Sequence, residues 1–261
     1  MAYISTDGVQ RYQFEIFQNY PIVHGIFSRQ GGVSPQPWSS LNLGGTVGDV
    51  RENVIENRKR IFDSIKRKIE THYDAWQVHG IHVIRAVTPR NGAPHVPGDA
   101  IITNNPAITL LMRFADCVPI LLYDPDHHAI GIVHAGWQGT VKRTVQYALR
   151  SMQDNFQTKP ASIIAGIGPS IGPDHYEVGI DVVEQVGHVF PNNSDILKKN
   201  PVEQYYLDLW KANQYLLEEM GVKKIQVAEI CTACHTDMWY SHRAEKGKTG
   251  RFGAIIALEK D

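Results

Sequence analysis

A chain of 261 residues, 43% of them hydrophobic, can bury a substantial core and enclose a reactive site. A formal net charge of −1 excludes the global basic field that gathers nucleic acid or anionic lipid, so small neutral or modestly anionic molecules are the expected partners. No apolar run approaches the roughly eighteen residues of a membrane helix, and the first residues show no charged segment followed by an apolar one. The expectation is a cytoplasmic protein with no nucleic-acid, membrane or obligate protein partner. Its three cysteines, Cys117, Cys231 and Cys234, are too few for a disulfide framework and suit a reducing compartment.

In chain order, short apolar runs separated by turn residues predict strands at FEIF (14–17), IVHGIF (22–27), IHVIRAV (81–87), AIIT (100–103), ITLLM (108–112), VPILLY (118–123), AIGIVH (129–134), SIIAGIG (162–168), KIQVAEI (224–230) and FGAIIALE (252–259). Helical patterns lie between them, from Asp49 as N-cap to about Ile69, then near 139–154, 179–189 and 207–220, the last closing on Gly221 as C-cap. This irregular alternation argues against a regular βαβ wind and for mixed sheets covered by helices, an α+β fold. No repeat or linker divides the chain, so a single domain over 1–261 is expected.

Three segments place a metal ligand beside a predicted strand end: Gln77-Val78-His79-Gly80, Asp116-Cys117-Val118 and Val133-His134-Ala135. Two imidazoles and a thiolate suit zinc or copper, and three protein ligands leave a fourth position for water or substrate, as catalytic zinc sites do. Their spacing matches no regular metal motif. The plain alternative is a buried small hydrophobe at Cys117 and a satisfied polar residue at His134.

The segments QVHG, FADCVPILLYDP and HAGWQGT, taken with SRQGGVS, SLNLGGTVGDV, IGPSIGPDHYEVG and TGR, resemble the YfiH-like laccase-domain family, also called multicopper polyphenol oxidase-like, from about Ser28 to Arg251. The resemblance implies a four-layer α/β/β/α domain, a zinc site of His79, Cys117 and His134, and phosphorolysis of adenosine, inosine and methylthioadenosine with deamination of adenosine. The partners it implies are a purine nucleoside and phosphate. Two positions depart from the family pattern: Gln138 stands where HAGWRG has arginine, and Ala244 follows Arg243 where a second arginine is usual.

Around that centre, Asp116 is a candidate for orienting the site. Arg29, between Ser28 and two glycines, can approach an anion or close a tight turn. Asn42 can bond a ribose hydroxyl or cap its turn. Gln77 and Arg243 complete the candidate substrate contacts. Cys231-Thr232-Ala233-Cys234-His235 spells a c-type haem attachment sequence, but with no export signal the expectation is a structural or pocket-wall role. Other readings of the same residues are a metal-free hydrolase or deamidase with Cys117 as nucleophile and His134 as base, a copper oxidase of phenols, and a cell-wall (peptidoglycan) editing role. The phenol oxidase fits least, because the chain has no His-x-His pair.

Overall fold

A computed structural model describes residues 2–191 and 195–259. In chain order the strands are β1 (Ala2–Thr6), β2 (Val9–Gln13), β3 (Ile22–Phe27), β4 (His72–Tyr73), β5 (Val83–Arg85), β6 (Ala100–Thr103), β7 (Thr109–Phe114), β8 (Val118–Asp124), β9 (Ala129–Ala135), β10 (Ile164–Ile167), β11 (Glu177–Val178), β12 (Leu197–Lys199), β13 (Tyr205–Leu207), β14 (Lys224–Val227) and β15 (Phe252–Leu258). The helices are α1 (Arg51–Ser64), α2 (Trp137–Val141), α3 (Thr144–Phe156), α4 (Ile180–Val189) and α5 (Leu209–Glu219).

One six-stranded sheet runs β1-β2-β3-β15-β7-β4 and the other β14-β10-β8-β9-β6-β5, and a small sheet β11-β13-β12 stands apart. Both large sheets are mixed: β4 pairs parallel with β7, β5 with β6 and β10 with β14, while the remaining pairs are antiparallel. Because both faces of the central strands are covered, they read as continuous apolar runs rather than alternating ones. Side chains still alternate in direction. Leu110, Met112, Ala254 and Ile256 join Leu121, Tyr123, Ile130 and Ile132 in the core between the sheets. Their neighbours Leu111 and Ile255 pack under Ile61 and Phe62 of α1, and Ile120, Leu122 and Val133 pack under Leu149 and Met152 of α3 and Leu216 and Leu217 of α5. The layers are therefore helix, sheet, sheet, helix, as expected.

Several boundaries differ from the sequence expectation. FEIF is not a strand: Glu15–Phe17 forms a 3-10 turn, which puts Phe14 and Phe17 into the same inter-sheet core, three residues apart, where a strand would point them to opposite faces. Helix α1 ends at Ser64, five residues early, because Lys66 takes φ 56°. Asp49 sits one residue before the N-cap and its carboxylate accepts from the Val50 N–H at 2.8 Å. The helix expected over 139–154 is two, broken at Arg143 (φ 63°). In α5, Asp208 caps the Lys211 N–H and Gly221, at φ +94°, follows the end as expected. No helix of the described residues is long and apolar enough to cross a membrane.

Candidate metal centre and active site

The three expected ligands converge. A nitrogen of His79, the sulfur of Cys117 and a nitrogen of His134 all lie within 4.8 Å of one another. The fold brings two of them together through register: Pro119 of β8 pairs with His134 of β9, so Cys117, immediately before β8, stands beside the end of β9. His79 arrives differently. It lies in the loop between β4 and β5 rather than at a strand end, with φ 57°, and its Nε2 is 3.9 Å from the Cys117 sulfur.

A left-handed histidine needs something to hold it, and that group is Asp99. Its fully buried carboxylate accepts the backbone N–H groups of Val78 (3.1 Å), His79 (3.0 Å) and Gly80 (2.7 Å), and lies 2.8 Å from Nδ1 of His134. The last contact fixes Nδ1 as the protonated nitrogen and turns Nε2 toward Cys117 and His79. Lys142 and Thr144 secure the same loop by donating to the carbonyls of His79 (2.9 Å) and Gly80 (2.8 Å). Asp99 is not among the residues the sequence pattern singles out. Its one signal is a carboxylate directly before the apolar run AIIT, where a buried charge demands partners.

Burial opposes charge on both Cys117 and His134, yet each shifts the other toward ionisation. The Cys117 thiol is lowered because the His134 and His79 rings lie beside it, and the His134 imidazole is raised by the Cys117 thiolate and by Asp99. The donor set fits a zinc-class ion: two imidazoles and a readily ionised thiol, one imidazole oriented by a carboxylate. The cradle is also tight, since a Cβ on Gly136 would stand 2.8 Å from the Cys117 sulfur and 3.4 Å from Cδ2 of His79.

The centre opens into a cavity of ≈ 130 Å³ lined by Asp116, Trp137, Gln138, Ile171, Tyr176 and Leu209. Asp116 does not orient a ligand through its hydrogen bonds; its oxygens take the Thr232 hydroxyl (2.7 Å) and the Arg243 N–H (2.7 Å). Arg243 lies over the Tyr176 ring at 5.1 Å, its Nη1 donating to the Glu177 carbonyl at 2.9 Å. Burial lowers Arg251, while the charges of Cys117 and Asp116 act in the opposite sense, so its guanidinium lies within the field of the same pair.

Three candidate substrate residues have other work. Gln77 is locked by its amide to the backbone of Arg113, donating at 2.7 Å and accepting at 3.0 Å. Asn42, fully buried, donates to Gly44 O and the Asp49 carboxylate and accepts from the N–H groups of Gly44 and Arg251, which leaves nothing for a ribose. Arg29 bonds the carbonyls of Ser39 and Thr236, pairs with Glu245 at 3.0 Å and stacks on Tyr240, beside a separate cavity.

Comparison with known proteins identifies the family and the fold. The profile of the family described as multi-copper polyphenol oxidoreductase laccase matches residues 23–259. The chain belongs to that family. Among laccase-domain relatives, the purine nucleoside phosphorylase YlmD of Geobacillus stearothermophilus is 34% identical over 92% of this chain and 91% of its own. A purine nucleoside phosphorylase of Deinococcus radiodurans is 37% identical over 93% and 91%. The crystal structure of YlmD from Geobacillus stearothermophilus superposes with a TM-score of 0.92 at 33% identity, covering 98% of both chains. That of the Bacillus licheniformis protein YfiH gives 0.89 at 30%, over 98% of this chain and 99% of the other.

Proposed function

We propose that this protein is a cytoplasmic purine nucleoside phosphorylase acting on adenosine, inosine and methylthioadenosine, with adenosine deaminase activity, and that His79, Cys117 and His134 hold one zinc ion, with copper the second choice. The observation that carries the reading is the convergence of those three ligand atoms within 4.8 Å, two of their residues lining a cavity that also holds Trp137 and Tyr176. The names carried by the relatives support the reaction class, and three free cysteines suit a reducing compartment. Zinc supplies Lewis acidity toward a substrate oxygen, or toward the water needed at purine C6.

The chain's own residues do the rest. Trp137 and Tyr176 offer aromatic faces to the base. In phosphorolysis a phosphate oxygen bonds C1′ as the C1′–N9 bond breaks, and the bonding pair leaves with the base. Positive charge therefore builds at the sugar, and the Asp116 carboxylate in the cavity lining would offset it. Arg243, stacked on the Tyr176 wall, and Arg251, in the field of Cys117 and Asp116, are the cations we assign to phosphate, because Arg29 lines a separate cavity. Gln138 lines the cavity, so the cation lost there is lost at the site itself.

Inosine turnover is expected to require phosphate and to release hypoxanthine with ribose 1-phosphate. Arg243→Ala or Arg251→Ala should raise the phosphate KM roughly tenfold to a hundredfold, as removal of a charge-assisted contact of about 1.5–3 kcal/mol demands. Free ribose at a rate indifferent to phosphate would overturn the assignment.

One observation favours a second reading. A thiol lowered by an adjacent imidazole is the ground state of a cysteine hydrolase. Metal analysis separates the two, since a zinc-bound thiolate is not a free nucleophile: activity that survives metal removal and dies on alkylation of Cys117 selects the hydrolase.

A further inference from the structure

Outside this centre, two loops meet at one end of the second sheet. Strands β10 and β14 are parallel neighbours, so the segments that follow them leave the same edge. They stay together: Ser170 bridges Cys231, with Ser170 N–H to Ile230 O at 3.2 Å and Thr232 N–H to Ser170 O at 3.0 Å. The pairing brings Asp174 and His175 of the first loop against Cys231 and Cys234 of the second, with all four ligand atoms within 4.8 Å of one another.

We propose that Asp174, His175, Cys231 and Cys234 form a second metal site, structural in character, for a zinc-class divalent cation.

The separations approach the edges of a coordination tetrahedron, two of them within its range and the two to Asp174 a few tenths of an ångström shorter. Bonds of about 2.3 Å to sulfur and about 2.0–2.1 Å to nitrogen or oxygen give edges of roughly 3.3–3.8 Å. His175 Nδ1 stands 3.4 Å from the Cys234 sulfur and 3.8 Å from that of Cys231, while Asp174 Oδ2 is 3.1 Å from the Cys234 sulfur and 3.0 Å from His175 Nδ1. Four donors, two of them soft, close the shell without a place for substrate, which is how structural sites differ from catalytic ones. Cys231 and Cys234 also have the two-residue spacing common in zinc sites.

Two further features point to a ligand rather than to chance proximity. The Gly172 N–H is aimed at the Cys231 sulfur at 3.2 Å, which holds that sulfur facing the other three donors. Gly172 itself leaves room for the cluster, since a Cβ there would lie 2.6 Å from Asp174 Oδ1 and 3.0 Å from the Cys231 Cβ. Cys231 is buried, while Asp174, His175 and Cys234 are exposed, so an ion can enter from solvent.

The site would brace the catalytic cavity. Tyr176, next to His175, forms its wall, and Thr232, next to Cys231, holds Asp116. A metal clip on this pair of loops fixes both groups from behind. This inference rests on the second cluster alone, independently of the reaction assigned to the first.

The test is stoichiometry and thiol protection in the full chain, kept reduced, loaded with Zn²⁺ and desalted. Wild type should carry two zinc ions per chain, and Cys117→Ala and Cys234→Ser one each. Alkylation followed by peptide mass spectrometry should find Cys231 and Cys234 protected in zinc-loaded Cys117→Ala and labelled after chelation. Because Cys234 is exposed, Cys234→Ser is expected to fold, and its remaining zinc at the first site verifies that. The proposal fails if zinc-loaded Cys117→Ala carries no zinc, if labelling of Cys231 and Cys234 is the same with and without zinc, or if the two form a disulfide under reducing conditions. One zinc in both wild type and Cys117→Ala, with none in Cys234→Ser, would keep the second site and remove the first.

Discussion

Asp99 gathers three backbone N–H groups and one imidazole on a single carboxylate, and so it positions two of the three proposed metal ligands at once. Replacement by asparagine keeps the shape but turns one acceptor into an NH2 group facing donors. Either the Val78–Gly80 turn loses contacts or His134 loses the partner that fixes its tautomer. Asp99→Asn is therefore expected to weaken zinc binding roughly tenfold to a hundredfold, the usual cost of removing a group that orients a ligand, with a lower melting temperature. Competition against a chromophoric chelator measures this, and an unchanged zinc affinity would show that the carboxylate has no such role.

At the scale of elements, the apolar runs over β3, β6, β7, β8, β9 and β15 were legible because burial on both faces leaves no ambiguity of period. The hairpin β1–β2 was not, since its strands mix polar and apolar residues and pack at an edge, although Asp7-Gly8 with φ 51° and 79° is a readable hairpin turn. The break between α2 and α3 escaped because Arg143 carries no sign of the left-handed conformation it adopts. In the site, histidine and cysteine identities were readable, but the roles of polar partners depend on which chain segments meet. Asn42 illustrates this: it ties the turn before α1 to the start of β15 through Asp49 and Arg251. Asn42→Ala removes four hydrogen bonds, two of them fully buried, and is expected to cost about 3 kcal/mol, a melting temperature lower by roughly 6–10 °C. If melting is unchanged and the nucleoside KM rises instead, the ribose-binding reading of Asn42 returns.

For the whole molecule, the core between the sheets contains a titrating group whose charge the fold does not tolerate. His24 on β3 is buried among Phe14 and Phe17 and its Nε2 accepts the Phe14 N–H at 3.0 Å, which requires that nitrogen to be unprotonated. Burial foremost, with the Arg11 charge, lowers its pKa from 6.5 to about 4. The unfolded chain takes up a proton near 6.5 and the folded one only near 4. The stability His24 contributes is thus complete above pH 6.5 and is lost as pH falls between those values, by about 3 kcal/mol in all. The Asp74 carboxylate cannot account for a change in this window. Against burial, Arg113, Arg58 and Arg90 hold it well below the usual range, so its contribution is lost only at pH below that of an ordinary carboxylate. His24→Gln keeps an acceptor for Phe14 without a proton to gain. Wild type should lose roughly 6–10 °C more in melting temperature between pH 7 and pH 4 than the variant does, while the variant is less stable at pH 7. Parallel melting curves for the two proteins across this range would mean that the acid sensitivity of the fold lies elsewhere than His24.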